Sequence, residues 1–295
     1  MNAVHLPAAQ AEQMRVRRSR FQPQQTRRHY FAEQSPLMSH VLTALSMTFP
    51  AGEQFFVHSV RQVRDQITDP ILQADISTFI GQEAMHSQAH TQFNQGLDAV
   101  DYPLQQYAAL MARGLDTLKT RSPRRQLAAT VAYEHFTALL AAYWLSQPRF
   151  AQGFDANLQQ LWLWHAVEEL EHKSVAFNVY QQLFGGTADG LAQRRRSMRT
   201  VSLGFALGVA GLTGRLIWHD RQSSLHPRHW GSNLRDVAVL LALVVRILPE
   251  YLRFYRADFH PDQTDHHGLI ANWQERLGLR VFTGSGKNGV CYTIT

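Results

Sequence analysis

The chain has 295 residues, of which 45% are hydrophobic and 18% are charged, so it can form one large core and is not a disordered chain. Its single cysteine, Cys291, excludes an internal disulfide and a cysteine-based zinc site, which fits a reducing compartment. The formal net charge of +6 suits nucleic acid, anionic lipid or an acidic partner, but without a zinc finger, RNA-binding signature or basic zipper we expect no nucleic-acid partner.

The first 35 residues are polar and basic, and we interpret residues 1–35 as an extended N-terminal arm. The arm contains RVRRSR at 15–20, followed by Arg27 and Arg28. A secretory signal has an apolar stretch after such a basic start, and none follows here. We therefore predict a cytoplasmic protein.

Residues 36–190 show helical periodicity and no convincing run of alternating strand residues, which predicts an all-α bundle of long helices. The first helical region is expected to break near Pro50, because proline lacks the N–H that a helix interior needs. The next helix should have Asp69 as its cap, start at Pro70 and stop at Gly96. The remaining predicted helices are a connecting helix over 103–120, one opened by Ser122 and Pro123, and one from Asp155 to the glycine pair at 185–186.

Residues 191–275 differ in composition and predict a C-terminal helical hairpin. Arg215 and Arg246 interrupt its apolar stretches, so each uninterrupted run is shorter than the roughly 20 residues that span a bilayer. Two interpretations stay open. The helices could be buried against the bundle, or they could form an amphipathic anchor whose basic flanks meet anionic lipid on the inner face of the membrane. Residues 276–295 are predicted to be a flexible tail.

Two stretches of the predicted bundle carry the same motif of one glutamate and two histidines. The motif residues are Glu83, His86 and His90 in QEAMHSQAH, and His165, Glu169 and His172 in WHAVEELEHKS. On a helix each trio lies within a wedge of about 60°, and each trio includes Glu-x-x-His. Carboxylate-bridged dimetal sites in four-helix bundles combine two such motifs with one glutamate from each of two other helices.

The two further glutamates that such a site needs occur one helix earlier in each half of the bundle. Glu53, in PAGEQFF, lies 30 residues before Glu83, and Glu134, in VAYEHFT, lies 35 residues before Glu169. Both have apolar neighbours, among which an unpaired carboxylate is unfavourable and a bound cation supplies the opposite charge. The predicted metal ligands are therefore Glu53, Glu83, His86, Glu134, Glu169 and His172.

Carboxylate and imidazole ligands predict two metal ions, with iron preferred and manganese or zinc as alternatives. His90 and His165 exceed the usual six ligands and could be extra ligands, supports for the ligands or catalytic bases; we select them as the catalytic candidates. Glu168 competes with Glu169 because it lies one helical turn before His172. We prefer Glu169, because its spacing to that histidine repeats the first motif.

The chain resembles a bacterial family usually called predicted metal-dependent hydrolases in four stretches, which are FPAGEQFF, DPILQADISTFIGQEAMHSQAH, AYEHFTA and WHAVEELEHKSVAFNVY. The resemblance covers residues 30–260 and implies a ferritin-like four-helix bundle with a dimetal centre. Asn178 stands where the family tends to have aspartate, which affects a contact around the site and not a ligand. The stretch 281–295 does not look like the family.

Three functions are consistent with these residues. The main hypothesis is a di-iron enzyme that activates dioxygen to oxidise a small apolar substrate, with an electron-donor protein as a partner. The alternative, which the family name favours, is a dimetal hydrolase that activates water. The third is a non-catalytic bundle for metal binding or storage, which we rank last because the chain is long for a storage subunit. The sequence leaves the oligomeric state open.

Overall fold

The computed structural model describes residues 14–18, 22, 30–98, 104–147, 151–279 and 292–293. Ten α-helices make up most of this part of the chain. They are α1 (Pro36–Arg61), α2 (Pro70–Asp98), α3 (Leu104–Lys119), α4 (Pro123–Leu145), α5 (Ala156–His172), α6 (Val175–Phe184), α7 (Ala188–His219), α8 (Arg221–Ser224), α9 (Trp230–Arg253) and α10 (His267–Arg276). Single 3-10 turns lie at 64–66, 227–229 and 261–263. The predicted all-α fold is confirmed.

Four of these helices form the bundle. α1 packs along α2 and α4 along α5, while α2 also meets α5 and α1 meets α4, so the four helices enclose a shared interior. α3 lies against α1, α6 against α4 and α2, and α10 against α5. α7 and α9 both pack on α1 and α4. Since the interior lies on the other side of α1 and α4, helices α7 and α9 form an outer layer.

Large apolar side chains fill most of the interior. Trp162, Trp164, Phe55, Phe79 and Phe93 are among the side chains that are almost fully buried. Burying one large apolar side chain stabilises the fold by about 1.5–3 kcal/mol. This packing holds the four helices together and fixes the polar cluster that lies between them.

α1 continues through Pro50, so the predicted break at this residue is wrong. Proline cannot donate to the carbonyl of Ser46, four residues earlier. Asn94 Nδ2, on α2, donates to Ser46 O at 3.1 Å and replaces the missing N–H. A side chain from the neighbouring helix therefore keeps α1 continuous. α2 itself runs to Asp98, past the predicted stop at Gly96.

The single helix predicted before the glycine pair at 185–186 is two helices in the structure, because α5 ends at His172 and α6 begins at Val175. Lys173, at the turn, keeps right-handed backbone angles of φ −49° and ψ −25°. The turn therefore needs neither glycine nor proline, and no sequence signal marks it. It places Lys173 Nζ 2.8 Å from the carbonyl of Thr264, to which the ammonium donates.

The described part of the N-terminal arm is docked on the bundle. Val16 approaches α2 so closely that a Cβ at Gly81 would lie 2.3 Å from its Cγ2. Arg17–Arg18 (β1) pairs in parallel with Tyr292–Thr293 (β2). The rest of the predicted arm before Tyr30, apart from residue 22, lies outside the described residues. So does the predicted tail after Leu279, apart from β2.

Candidate metal centre

The six side chains of the two motifs and the two lone glutamates, eight in all, meet in one buried cluster. Each of them has at most 5% of its surface exposed. Their helices are α1 for Glu53, α2 for Glu83, His86 and His90, α4 for Glu134, and α5 for His165, Glu169 and His172. Spacings of three, four and seven residues turn the side chains of each helix toward the same interior. The structure thus brings all predicted site residues together, while their assignment as ligands or catalytic groups stays a prediction.

Two groups of ligand atoms are close enough to hold metal ions, since the atoms of each group lie within 4.8 Å of one another. The groups are Glu83, His86, Glu169 and His172, and Glu53, His86 and His165. His86 belongs to both groups, so the two candidate positions are adjacent. Glu134 belongs to neither of these groups, but its Oε2 lies 3.1 Å from His172 Nδ1.

Imidazole nitrogens surround one oxygen of Glu169. His165 Nε2 lies 2.9 Å from Glu169 Oε1, His172 Nε2 lies 3.6 Å from it, and His86 Nδ1 lies 3.7 Å from it. His172 Nε2 also lies 3.4 Å from Glu83 Oε1. Glu169 would therefore hold a cation together with Glu83, His86 and His172.

Several polar atoms of the cluster lack a hydrogen-bond partner among the described residues, and this observation tests whether metals fit. Both carboxylate oxygens of Glu53, Glu83 and Glu134 are buried and accept no hydrogen bond from the described residues. Within the same part of the chain, His86 Nδ1 and both ring nitrogens of His172 also have no hydrogen-bond partner. Each buried, unsatisfied polar group costs about 1–3 kcal/mol. Two divalent cations would satisfy these atoms and balance the carboxylate charge, so the residues fit a dinuclear centre.

Burial dominates the electrostatics of the carboxylates. Burial raises the pKa of Glu53 and Glu83 well above the usual range, and neighbouring carboxylates raise it further. Burial also raises the pKa of Glu134 to about 7, although the charge of His172 acts in the opposite direction. At Glu169 burial is outweighed by the charge of His172 and by hydrogen bonds, and the pKa is lowered. Without cations, several of these carboxylates would hold protons in place of metals.

The imidazoles differ in their proton affinity. Burial lowers the pKa of His86 and His90 well below the usual range, so both rings are neutral near pH 7. Burial alone would also lower the pKa of His172, but Glu134 and Glu169 raise it to about 9. Metals bind neutral imidazole, so His172 would release its proton when a cation arrives.

A directed chain of hydrogen bonds fixes the tautomer of His165. Asn94 Nδ2 donates to Ser46 O, so Asn94 Oδ1 accepts from Ser46 Oγ, at 2.8 Å. Ser46 Oγ then accepts from His90 Nδ1 at 2.8 Å. Neutral His90 accepts at Nε2 from His165 Nδ1 at 2.7 Å. The lone pair of His165 Nε2 therefore faces Glu169 Oε1, where it is favourable only with a proton or a cation shared by both atoms. These contacts favour His165 as a metal ligand that His90 orients.

Glu168 and Arg17 surround the centre in a way that the motifs did not reveal. Glu168 Oε2 accepts from His86 Nε2 at 3.0 Å, and Glu168 Oε1 accepts from Arg17 Nη1 at 2.8 Å. Arg17 is only 5% exposed and also donates to both oxygens of Glu171. Burial raises the pKa of Glu168 to about 8, with Arg17 acting against it. Glu168 therefore holds His86 from behind, while Glu169 lies in the ligand group.

Two cavities reach the cluster from different sides. A cavity of about 230 Å³ ends at Glu53, His165 and Glu169 and lies between α1, α3, α4 and α7. Its apolar walls include Phe49, Phe56, Leu115, Leu118, Tyr133 and Phe205. A second cavity, of about 640 Å³, lies between α1 and α2 and is lined by Glu53, Glu83 and His58 among others. The candidate centre thus has one apolar approach and one polar approach.

A four-helix bundle with glutamates on all four helices, and Glu-x-x-His on two of them, defines the class of carboxylate- and histidine-rich dinuclear metalloproteins. The chain belongs to the family described as predicted metal-dependent hydrolase, whose family model matches residues 15–265. This match confirms the resemblance seen in the sequence. No curated protein and no solved structure matches the chain. Asn178 Oδ1 accepts from His260 Nε2 at 2.8 Å, which joins α6 to the segment after α9.

Proposed function

We propose that this protein is a dinuclear metal-dependent hydrolase that acts on a small apolar substrate. The family description supports metal-dependent hydrolysis. The observation that carries the proposal is the buried cluster of unsatisfied carboxylate and imidazole atoms, which fits two cations. The residues proposed to hold the cations are Glu53, Glu83, His86, Glu134, Glu169 and His172, with His165 added because of its hydrogen bonds.

Two bound cations would lower the pKa of a water molecule and polarise a carbonyl or phosphoryl oxygen of the substrate. The protein contributes by holding the ligands in position. His90 accepts from His165 and keeps this ring from rotating, and Glu168 does the same for His86. The chain Asn94–Ser46–His90 thereby supports the catalytic centre instead of supplying a base.

The two cavities divide the tasks of admitting water and binding substrate. The polar cavity, whose lining includes Glu53 and Glu83, would admit water to the centre. The apolar cavity excludes water on the other side, since its walls are mainly aromatic and aliphatic. Its volume of about 230 Å³ suits a short acyl or alkyl group whose reacting atom would reach Glu169 and His165.

A di-iron enzyme that activates dioxygen is the second candidate. One observation favours it, namely the four glutamates that face one another from four helices, as in di-iron and di-manganese carboxylate proteins. Iron would supply electrons to dioxygen, and an electron-donor protein would have to replace them. The apolar cavity would then hold the group to be oxidised, with the same residues around it.

One experiment separates the two candidates. The full chain is stripped with a chelator and loaded separately with zinc, manganese or, without air, ferrous iron. Each form is assayed for hydrolysis of nitrophenyl esters of increasing acyl length and for oxygen uptake after reduction. The hydrolase proposal expects ester turnover by the zinc or manganese form, without oxygen uptake. Turnover should be lost in Glu169→Gln and kept in Gln88→Glu, which changes an exposed position of α2.

Oxygen uptake by the iron form alone, with no hydrolysis by any form, would favour the second candidate. A folded protein that binds metal and shows neither activity would revive the hypothesis of metal storage. If the folded protein bound none of the three metals, the dinuclear centre itself would be wrong.

A further inference from the structure

The exposed hydrophobic side chains of this protein are concentrated in one part of the fold. Of the fourteen large hydrophobic residues that the described structure leaves exposed, thirteen lie between Leu203 and Leu252, and the other is Ile71. Isolated exposed hydrophobic residues are ordinary, but a contiguous apolar patch marks an interaction surface. The region from α7 to α9 is therefore a candidate for contact with a partner.

α9 carries a second apolar stripe in addition to the one that packs on the bundle. Leu240, Leu243 and Ile247 face the core. The exposed stripe follows helical spacing and consists of Leu234, Val237, Leu241, Val244, Val245, Leu248 and Leu252. A helix needs only one apolar stripe to pack on a core, so the second stripe has no role in the isolated chain.

α7 has the same arrangement. Its buried side includes Phe205, Leu212 and Leu216, whereas Leu203 and Leu207 are 63% and 64% exposed. Among the described helices, α7 alone has the length and composition to cross a bilayer. α7 and α9 both pack on α1 and α4, and the exposed apolar side chains lie on the side of each helix that is turned away from the bundle. We call this surface the α7–α9 face.

The charge of this region is strongly positive. Residues 194–256 contain eleven arginines and only three carboxylates, Asp220, Asp236 and Glu250. The three carboxylates already have partners. Asp220 accepts from Tyr30, Asp236 from Ser35 and Arg235, and Glu250 from Arg253 and Thr264. Two carboxylates from outside the stretch also pair with its arginines, Glu33 with Arg235 and Asp258 with Arg256. Ion pairs thus involve Arg235, Arg253 and Arg256, and residues 194–256 keep a formal excess of eight positive charges.

The arginines and tryptophans lie at the ends of the apolar stripes. Arg194 and Arg195 donate to the carbonyls of Arg256 and Tyr255, so the start of α7 meets the end of α9. The basic residues gathered there are Arg195, Arg196, Arg199, Arg253 and Arg256. At the other end of the pair, Trp218 and Trp230 are exposed. Apolar stripes bounded by cations and tryptophans are typical of helices that lie in a lipid interface.

We propose that the α7–α9 face docks on an anionic lipid bilayer, with both helices lying in the interface plane. Charge complementarity selects this partner. A second copy of the chain would pair the face with itself across a two-fold axis and bring two arginine-rich surfaces together, which is unfavourable. A bilayer with anionic headgroups accepts the apolar stripes and neutralises the arginines at the same time.

The docking face lies beside the entrance of the apolar cavity. Gly204 and Phe205 line this cavity, and the exposed Leu203 and Leu207 flank them on α7. A Cβ at Gly204 would meet no described atom within 4 Å, so the helix is open to the outside there. The docked protein would receive the acyl chain of a lipid-soluble ester directly from the bilayer. This last step alone rests on the proposed hydrolase function.

The docking test uses the full chain and two kinds of vesicles, phosphatidylcholine alone and phosphatidylcholine mixed with phosphatidylglycerol. Sedimentation should show binding to the anionic vesicles at least about tenfold tighter than to the neutral ones, and added salt should weaken it. Tryptophan fluorescence should shift to the blue on binding, because Trp218 and Trp230 would leave water. Equal binding to both vesicles, or binding to neither, would overturn the proposal.

A double variant, Leu241→Asn with Val245→Asn, tests which surface binds. Both side chains are exposed, at 62% and 70%, so the variant should keep its thermal unfolding and metal content and lose vesicle binding. Ile71→Asn is the control, because Ile71 is equally exposed but lies at the start of α2. Unchanged binding by the double variant would contradict the proposal. So would a dimer in solution that the double variant separates.

The docking proposal and the hydrolase proposal can be refuted independently of each other. Binding is measured on chelator-treated and metal-loaded protein, and docking predicts the same affinity for both forms. A protein that hydrolyses soluble esters and ignores vesicles would overturn docking alone. A protein that binds anionic vesicles without any hydrolysis would overturn the hydrolase proposal, and with it only the step of substrate entry from lipid.

Discussion

The metal centre and the α7–α9 face both depart from the usual distribution of side chains, in which polar groups are exposed and apolar groups are buried. The centre buries carboxylates and imidazoles that have no hydrogen-bond partner among the described residues. The face exposes leucines and valines that a bundle would normally cover. Each departure destabilises the isolated chain, the first by desolvation of charge and the second by hydration of apolar surface. These two departures are the observations behind the two proposals, cations for the interior and lipid for the α7–α9 face.

The largest expected effect concerns the metal centre. Glu83→Gln keeps the shape of the side chain and removes one buried carboxylate. The metal affinity of the variant should be at least about a hundredfold lower, because changing a residue that only supports a ligand already reduces affinity by this much. Without metal it should unfold at the same temperature as the wild type or higher, because a buried carboxyl group whose raised pKa opposes folding at neutral pH has gone. Metal analysis and calorimetry with and without chelator measure both quantities.

Gln88→Glu is the control for this variant, since it adds a carboxylate at an exposed position of the same helix. A metal-free Glu83→Gln protein that unfolds well below the wild type would show that Glu83 stabilises the fold by itself. The interior would then not be an unsatisfied site.

The next effect is a loss of stability at the edge of the centre. Arg17→Met removes the cation that faces Glu168 and Glu171. Breaking a buried ion pair typically destabilises a protein by about 3–5 kcal/mol, so the denaturant midpoint should fall with little change in slope. Arg18→Met is the matched control, because the side chain of Arg18 is exposed. Equal stability of the two variants would mean that the arm does not hold the centre.

A smaller effect is expected where the two regions meet. Gly204→Trp would place an indole beside the entrance of the apolar cavity, at a position where an added Cβ meets no described atom within 4 Å. Turnover of soluble esters should fall about tenfold, while metal content stays the same, because only access to the centre has changed. Gly211→Trp is the control on the same helix, at a position outside the cavity lining with equally open space. Equal turnover of both variants would show that substrate enters elsewhere.

A pH dependence is expected of the metal-free protein. In the metal-free protein the pKa values of Glu134, Glu168 and His172 are raised to about 7, 8 and 9. Between pH 6.5 and pH 9 the folded metal-free state therefore holds more protons than the unfolded chain, and its stability falls as pH rises. The slope is about 1.4 kcal/mol per pH unit for each proton.

Metals bind the deprotonated ligands, so the difference in melting temperature between metal-loaded and metal-free protein should grow over this range. Melting curves with and without chelator at several pH values measure this difference. A difference that stays constant or shrinks as pH rises would contradict the raised pKa values.

The sequence predicted those features that depend on local spacing. Helical periodicity predicted the all-α bundle, and the repeated Glu-x-x-His with a glutamate one helix earlier predicted which side chains converge. These patterns can be recognised in a sequence because a helix turns residues three, four and seven apart to the same side. Glu168 was recognised only as a rival of Glu169, since spacing alone cannot tell a ligand from the residue that holds a ligand.

Features that depend on distant contacts were missed. The break predicted at Pro50 is absent because Asn94 replaces the missing N–H donor. Asn94 lies in another helix, so the local sequence around Pro50 does not show it. Nothing in the run of arginines distinguishes Arg17 as a buried side chain, since its burial depends on Glu168 and Glu171. The turn after α5 contains no glycine or proline from which it could be predicted. In each case a partner far along the chain decides the outcome.

The asparagine that replaces the N–H of Pro50 has a consequence for protein engineering. Pro50→Ala would be an obvious change to strengthen α1, because it restores a backbone donor to the Ser46 carbonyl. That new donor would compete with Asn94 Nδ2, and the amide would be free to flip. A flipped amide could no longer accept from Ser46 Oγ, and the hydroxyl that accepts from His90 would turn. A more regular helix would thus leave the imidazole beside the metals less firmly oriented, so thermal optimisation of α1 should be judged by metal affinity as well as by melting temperature.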